Sequence, residues 1–120
     1  MSFYLSSTFL GASLKAIFKF ITPKQVFDVP LEMGSKLTVG RGKNTAYHID
    51  DEKMSSQHCV FSFTKHHIRL EDADSKNGTY LNGIRIESAE MFVGDEVKIG
   101  DTIISINQEK MEREAIDFLT

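Results

Sequence analysis

The chain has 120 residues, of which 41% are hydrophobic, a formal net charge of -3 and one cysteine. That length suits a single domain, which buries roughly 60–70% of the surface its unfolded chain exposes. A lone Cys59 excludes an internal disulfide and the paired spacings of a zinc ribbon, and it fits a reducing compartment, with the cytoplasm as default. The acidic balance argues against a broad basic face that neutralises a run of nucleic-acid phosphates.

In chain order, residues 1–13 read as an N-terminal tail. Its apolar residues are broken by Ser6, Ser7 and Thr8, only residues 9–12 approach a signal-peptide core, and no run is long enough to span a bilayer. Neither membrane nor nucleic acid is therefore an expected partner. Residues 14–21 and 25–31 flank Thr22-Pro23-Lys24 as a hairpin, and 36–40 reads as a third strand. Residues 47–50 make a short fourth. Cys59, Phe61 and Phe63 alternate with Val60, Ser62 and Thr64, and the same period returns at Ile68 and Leu70 after a bend near His66-His67. Strands at 79–81, 84–86, 90–93, 96–99 and 102–106 follow, separated by Asn82-Gly83, Gly94-Asp95 and Gly100-Asp101.

About eleven short strands with frequent turns predict an all-β antiparallel sandwich or barrel. Residues 107–120 differ: Met111, Ala115, Phe118 and Leu119 recur at helical spacing among charged residues, which predicts a short amphipathic helix. The segment ends without a Gly or Pro breaker and has few core partners of its own, so it also reads as a linker towards a downstream domain. The expected division is thus a tail at 1–13, the sandwich at 14–106 and a helix at 107–120.

The chemistry sits in turns, where a rigid scaffold aims side chains at one point. Arg41, just after Gly40, carries a planar guanidinium suited to two phosphate oxygens, and Ser55 supplies a hydroxyl. Asp74-Ser75-Lys76-Asn77-Gly78-Thr79-Tyr80-Leu81-Asn82-Gly83 places two Asn-Gly pairs around a β-prone tripeptide, and each pair tolerates the left-handed angles of a tight turn.

Gly40-Arg41, Ser55-Ser56-Gln57-His58 and Asn77-Gly78-Thr79 together resemble the forkhead-associated (FHA) domain, a β-sandwich that binds phosphothreonine peptides. The resemblance covers about residues 14–106. It implies that Arg41 and Ser55 grip the phosphate, that Asn77 pairs with the peptide backbone, and that Ser56 and Lys76 add second contacts. Gly40, His58, Gly78, Thr79 and Asn82 become structural residues, with His58 holding a loop. Lys53 stands where many members carry an Arg that reads the ligand a few residues beyond phosphothreonine; lysine keeps the charge and loses the fork.

Other chemistries fit less well. Gly40-Arg41-Gly42-Lys43 lacks the spacing and following helix of a nucleotide-binding loop. His48, His58, Cys59, His66 and His67 lack paired ligand spacings, and neighbours on a strand face opposite ways, so no metal or cofactor is expected. Ser55 and His58 come nearest to a nucleophile with its base, but no orienting acid or nucleophile elbow accompanies them, so an enzyme is not expected in these residues.

The leading function is a phosphothreonine-dependent protein-binding module, read as the regulatory region of a larger protein such as a diguanylate cyclase. The alternative is a phosphate-independent scaffold. Thr8 in the tail is a candidate ligand for the chain's own pocket, because a tether raises effective concentration into the millimolar range.

Overall fold

In this computed structural model, which describes residues 14–120, the period-2 pattern becomes eleven strands. They are β1 (Lys15–Ile21), β2 (Val26–Glu32), β3 (Lys36–Gly40), β4 (Tyr47–His48), β5 (Cys59–Thr64), β6 (His67–Asp72), β7 (Thr79–Leu81), β8 (Ile84–Ile86), β9 (Ser88–Met91), β10 (Glu96–Ile99) and β11 (Thr102–Ile106). One sheet runs β2-β1-β11-β10-β7-β8 and the other β4-β3-β5-β6-β9. The two form the sandwich that the alternation predicts.

Each strand turns its apolar set inward. Ala16, Phe18 and Phe20 of β1 meet Phe61 and Phe63 of β5 in one core cluster, with Ile99, Ile104, Ile68 and Leu70. The Phe18 and Phe61 rings lie 4.8 Å apart. Each of the fully buried Phe, Ile and Leu side chains among them contributes about 1.5–3 kcal/mol of transfer free energy.

Turn chemistry sets the connections. Asn82 (φ 51°) and Gly83 (φ 84°) form the left-handed pair of a two-residue hairpin, which fixes the register Leu81↔Ile84 between β7 and β8. The Asn77-Gly78 pair behaves differently. Only Gly78 is left-handed (φ 94°), and the chain there crosses from one sheet to the other instead of folding back on itself.

Three expectations shift. One strand pair is parallel: β4 lies beside β3 with Val39↔Tyr47, while the other ladders are antiparallel. The strand expected at 90–93 forms at Ser88–Met91, because Asp95 accepts the Phe92 N–H at 2.8 Å and draws residues 92–95 into a turn. The helix expected at 107–120 divides into a 3-10 turn, Gln108–Lys110, and α1, Arg113–Leu119.

Helix α1 finds its core partners in the sandwich. Ala115 and Leu119 are buried, the Val93 N–H donates to Leu119 O at 2.7 Å, and Phe118 stacks on His66 at 3.9 Å between ring centroids.

Cys59 lies in this core, fully buried beside Asp72, and burial pushes its thiol well above the usual range. Because the thiolate is the reactive species, the native protein should resist iodoacetamide and label only where denaturant unfolds it. Mass spectrometry across a urea series checks this; rapid labelling in water would show that the β5 environment is open.

Candidate functional site

Strand register brings three loops to one end of the sandwich. β3 leaves the sheet after Gly40, β5 enters it at Cys59 opposite Val39, and β6 leaves it at Asp72 opposite Cys59. Residues 41–46, 49–58 and 73–78 therefore emerge side by side. A Cβ on Gly40 would lie 2.1 Å from Ser56 O, so glycine lets the first two loops touch. They are stitched by Arg41 N–H to Ser55 O and Gly42 N–H to Ser56 O, both 2.9 Å.

His58 joins the second loop to the third. Its ring is fully buried, Nδ1 lies 3.0 Å from the Ser55 N and Nε2 lies 2.8 Å from Gly78 O. An amide N–H can only donate, so Nδ1 is the acceptor and Nε2 carries the proton given to Gly78. The backbone of His58 adds bonds to Val39 and Ala73.

Ser55 Oγ accepts the Lys76 N–H at 2.9 Å, which leaves its own hydroxyl proton free for a ligand. The hydroxyl is thus paired with backbone and not with the imidazole. Asn77 Nδ2 donates to Lys53 O at 2.8 Å, leaving Oδ1 and a second N–H open.

The expected residues fall into two groups. Arg41, Ser55, Ser56, Lys76 and Asn77 are brought together at the loop end, and all but the half-buried Ser55 are exposed. The side chains of Arg41 and Lys76 form no hydrogen bond or ion pair within the described residues. A cleft of about 400 Å³ lined by Gly42, Lys43, Asn44, Ser56 and Gln57 adjoins them.

Lys53 stands at the edge of this group, its ammonium 3.3 Å from Asp101. Asn82 belongs to a separate cluster at the far end of β7, where its amide joins Asp95 Oδ1 and the Glu96 N–H. Gly78 and Thr79 are buried supports.

Two carboxylates that sequence reasoning missed hold the loops. Asp51, 1% exposed, accepts from the N–H groups of Lys53 and Asp101 and from the Thr102 hydroxyl, tying the second loop to the start of β11. No local motif marks it, since Asp101 and Thr102 lie fifty residues away. Asp72 accepts from the Ser75 N–H, the Ser75 hydroxyl at 2.6 Å and the Thr79 hydroxyl at 2.6 Å; Ser75 Oγ in turn accepts from Gly78. Here the Asp-x-x-Ser spacing was a usable sign of side-chain-closed turning.

Among the described residues no group of three or more His, Cys, Asp or Glu is placed to hold a metal ion. None of the described helices is long and apolar enough to cross a membrane.

The family model of the FHA domain matches residues 37–100, and the chain belongs to that family. The glycogen accumulation regulator GarA of Mycobacterium tuberculosis is 35% identical over 63 residues, covering 52% of this chain and 39% of GarA. The oxoglutarate dehydrogenase inhibitor of Corynebacterium efficiens is 33% identical over 63 residues, 52% of this chain and 44% of that protein. The match thus spans about two-fifths of these relatives' length.

Among solved structures, the FHA domain of the CT664 protein from Chlamydia trachomatis aligns with a TM-score of 0.73 at 21% identity, over 77% of this chain and 95% of that one. The FHA domain of an Arabidopsis thaliana protein gives 0.68 at 26% identity, over 79% and 86%.

Two predictions follow from the loop supports. Truncating His58→Ala leaves the Ser55 N–H and Gly78 carbonyl without partners and should cost about 1–3 kcal/mol, read as a lower urea midpoint; an unchanged midpoint would contradict the clamp. For Asp72, partial burial raises the carboxyl, but the bonds from Ser75 and Thr79 outweigh it and hold it below the usual value. A lowered folded value stabilises the protein above about pH 4 and loses that contribution as pH falls through it. Asp72→Asn should therefore lower the thermal midpoint at pH 7, and the gap from wild type should narrow below pH 4. A gap that widens in acid would reverse the assignment.

Proposed function

We propose that the loop end binds phosphothreonine-containing segments of partner proteins. The observation that carries this reading is the convergence of an unpaired guanidinium, an unpaired ammonium and two hydroxyl-bearing residues on loops already fixed by hydrogen bonds. A phosphate carrying about -1.5 to -2 charge accepts from Arg41, from the Ser55 hydroxyl and from Ser56 and Lys76. The free groups of the Asn77 amide face the peptide backbone and set its register.

Preorganisation favours affinity, because the loops pay little ordering entropy on binding. The relatives named as a regulator and an inhibitor support a regulatory role for the module, exerted through whichever partner is phosphorylated. EmbR of Mycobacterium tuberculosis, a solved structural neighbour with a TM-score of 0.63, is described in complex with a phosphopeptide. A link to an output enzyme such as a diguanylate cyclase, and a cytoplasmic location, rest on the sequence reading alone. Thr8, the candidate internal ligand, lies outside the described residues.

Calorimetry with matched phosphorylated and unmodified peptides tests the proposal. Charge-assisted bonds contribute about 1.5–3 kcal/mol each, so Arg41→Ala should weaken phosphopeptide binding by about a hundredfold. An exposed loop side chain carries little of the core, and the unfolding midpoint should stay near wild type. Equal affinity for both peptides in wild type would favour the phosphate-independent scaffold.

A further inference from the structure

Of the five large apolar side chains exposed among the described residues, Ile21, Val26 and Tyr47 meet at one corner of the sandwich. Ile21 and Val26 are direct partners on the outward face of the β1–β2 ladder, and the half-buried Ile103 of β11 lies opposite Ile21 on its other side. β2 and β4 are edge strands of the two sheets, and the Phe27 and Tyr47 rings, 6.4 Å between centroids, close the seam between them. The apolar surface therefore runs from Ile103 across Ile21 and Val26 and past Phe27 to Tyr47. The next outward row, Asp28, Lys19 and Ser105, is polar, and Asn107 and Lys110 bond to its Asp28.

This corner adjoins the loop end. β1 finishes at Ile21 beside the Thr22–Gln25 turn, and Lys24 of that turn bonds to Asp50 in the second loop at 2.6 Å. The Lys24 bond, with smaller contributions from the charges of His48 and Arg41, holds the Asp50 carboxyl below its usual range, so the guanidinium assigned to the phosphate stands within electrostatic reach of the corner. Asn77, beside the start of β7, is farther off: β7 lies four strand spacings from β2, about 19 Å across the sheet. The bordering charges are paired among themselves, Lys24 with Asp50 and Lys110 with Asp28, so the corner suits apolar contact and not charge.

Resting on the phosphothreonine reading above, we infer that this corner is an auxiliary docking site for an aliphatic or aromatic patch on the folded body of the same partner that carries the phosphothreonine. Area selects this occupant. A stable interface buries about 800 Å² on each side, and three side chains that are 38–60% exposed offer far less, so the corner alone holds neither a second copy nor a free partner. A partner already gripped through its phosphate is different. Tethering gives its neighbouring surface an effective concentration in the millimolar range, at which a small apolar contact adds measurable affinity. The corner thus reads the body of the partner and not the residues next to its phosphothreonine.

Fluorescence polarisation of the full chain against three kinds of phosphothreonine peptide tests the inference: a short one, one extended by a Gly/Ser linker to a Leu-Phe-Leu end, and one extended equally to a Ser-Ser-Ser end, with extensions built at either terminus. A linker of about twelve residues has a root-mean-square span of about 20 Å. In wild type the apolar end should gain about tenfold over the serine end, the ratio expected where effective concentration exceeds the patch's own dissociation constant by that factor. Ile21→Lys with Val26→Lys should remove the gain while the short peptide keeps its affinity. Val26→Ser with Tyr47→Ser supplies the same answer should the lysine pair fail to fold. No gain at either terminus, or a gain that survives both double variants, would overturn the inference, as would sedimentation showing a wild-type dimer that either variant dissolves. Equal binding of phosphorylated and unmodified short peptides would instead overturn the phosphothreonine reading, and with it the tether on which the corner depends.

Discussion

The imidazole of His58 lies between two segments that share no ladder, accepting from Ser55 and donating to Gly78. Everything proposed for the loop end depends on that bridge. Without it the second loop keeps its bonds to the first, but the third is held to the second by the Ala73 N–H on His58 O at the base and, towards the tip, by Lys76 N–H on Ser55 Oγ and the Asn77 amide on Lys53 O. A buried neutral ring suits the role: in a low-dielectric interior its two bonds are stronger than the same contacts in water, and leaving either partner unpaired is costly. Asp51 and Asp72 act at either side in the same manner, collecting N–H and hydroxyl donors from turns that lack regular partners.

The consequence is a division of labour within 120 residues. Buried side chains assemble the loops, and the exposed side chains of Arg41 and Lys76 at the tips make no hydrogen bond or close ion pair among the described residues. Arg41 and Lys76 have no ion pair among the described residues, while Lys53, which the family resemblance marks as a ligand reader, is drawn to Asp101. Free cations on a rigid frame are what an anionic ligand requires, because neither side must first break a bond. Helix α1 packs at the opposite end, against the 65–66 turn and the 92–95 turn, and leaves the loop end open.

Much of this was legible in the sequence because it is local. Alternation at 15–21 and 59–64 reflects which face of a strand meets the core, and Asn82-Gly83 encodes its turn in two residues. The clustering of Arg41, Ser55 and Asn77 was readable only through family resemblance, since nothing in local spacing says that three loops share one end. Asp51 escaped notice because its donors come from Asp101 and Thr102, whose proximity is made by the tertiary fold. The parallel β3–β4 pair was hidden for the same reason: a two-residue strand carries no periodicity, and its neighbour is chosen by how the 41–46 loop folds. The boundary of β9 moved because Asp95 caps a turn that hydrophobic pattern alone cannot distinguish from more strand.

The central claim is that the three loops form a preassembled phosphate site. Amide NMR of the whole chain, titrated with a phosphothreonine peptide and with its unmodified twin, examines it most directly. The account predicts that perturbations caused by the phosphorylated peptide concentrate at residues 41–45, 53–57 and 75–78, and that the His58 ring resonances keep their positions because the clamp does not rearrange. Equal perturbation by both peptides, shifts concentrated at the 65–66 and 92–95 turns, or a rearranged His58 ring would contradict it.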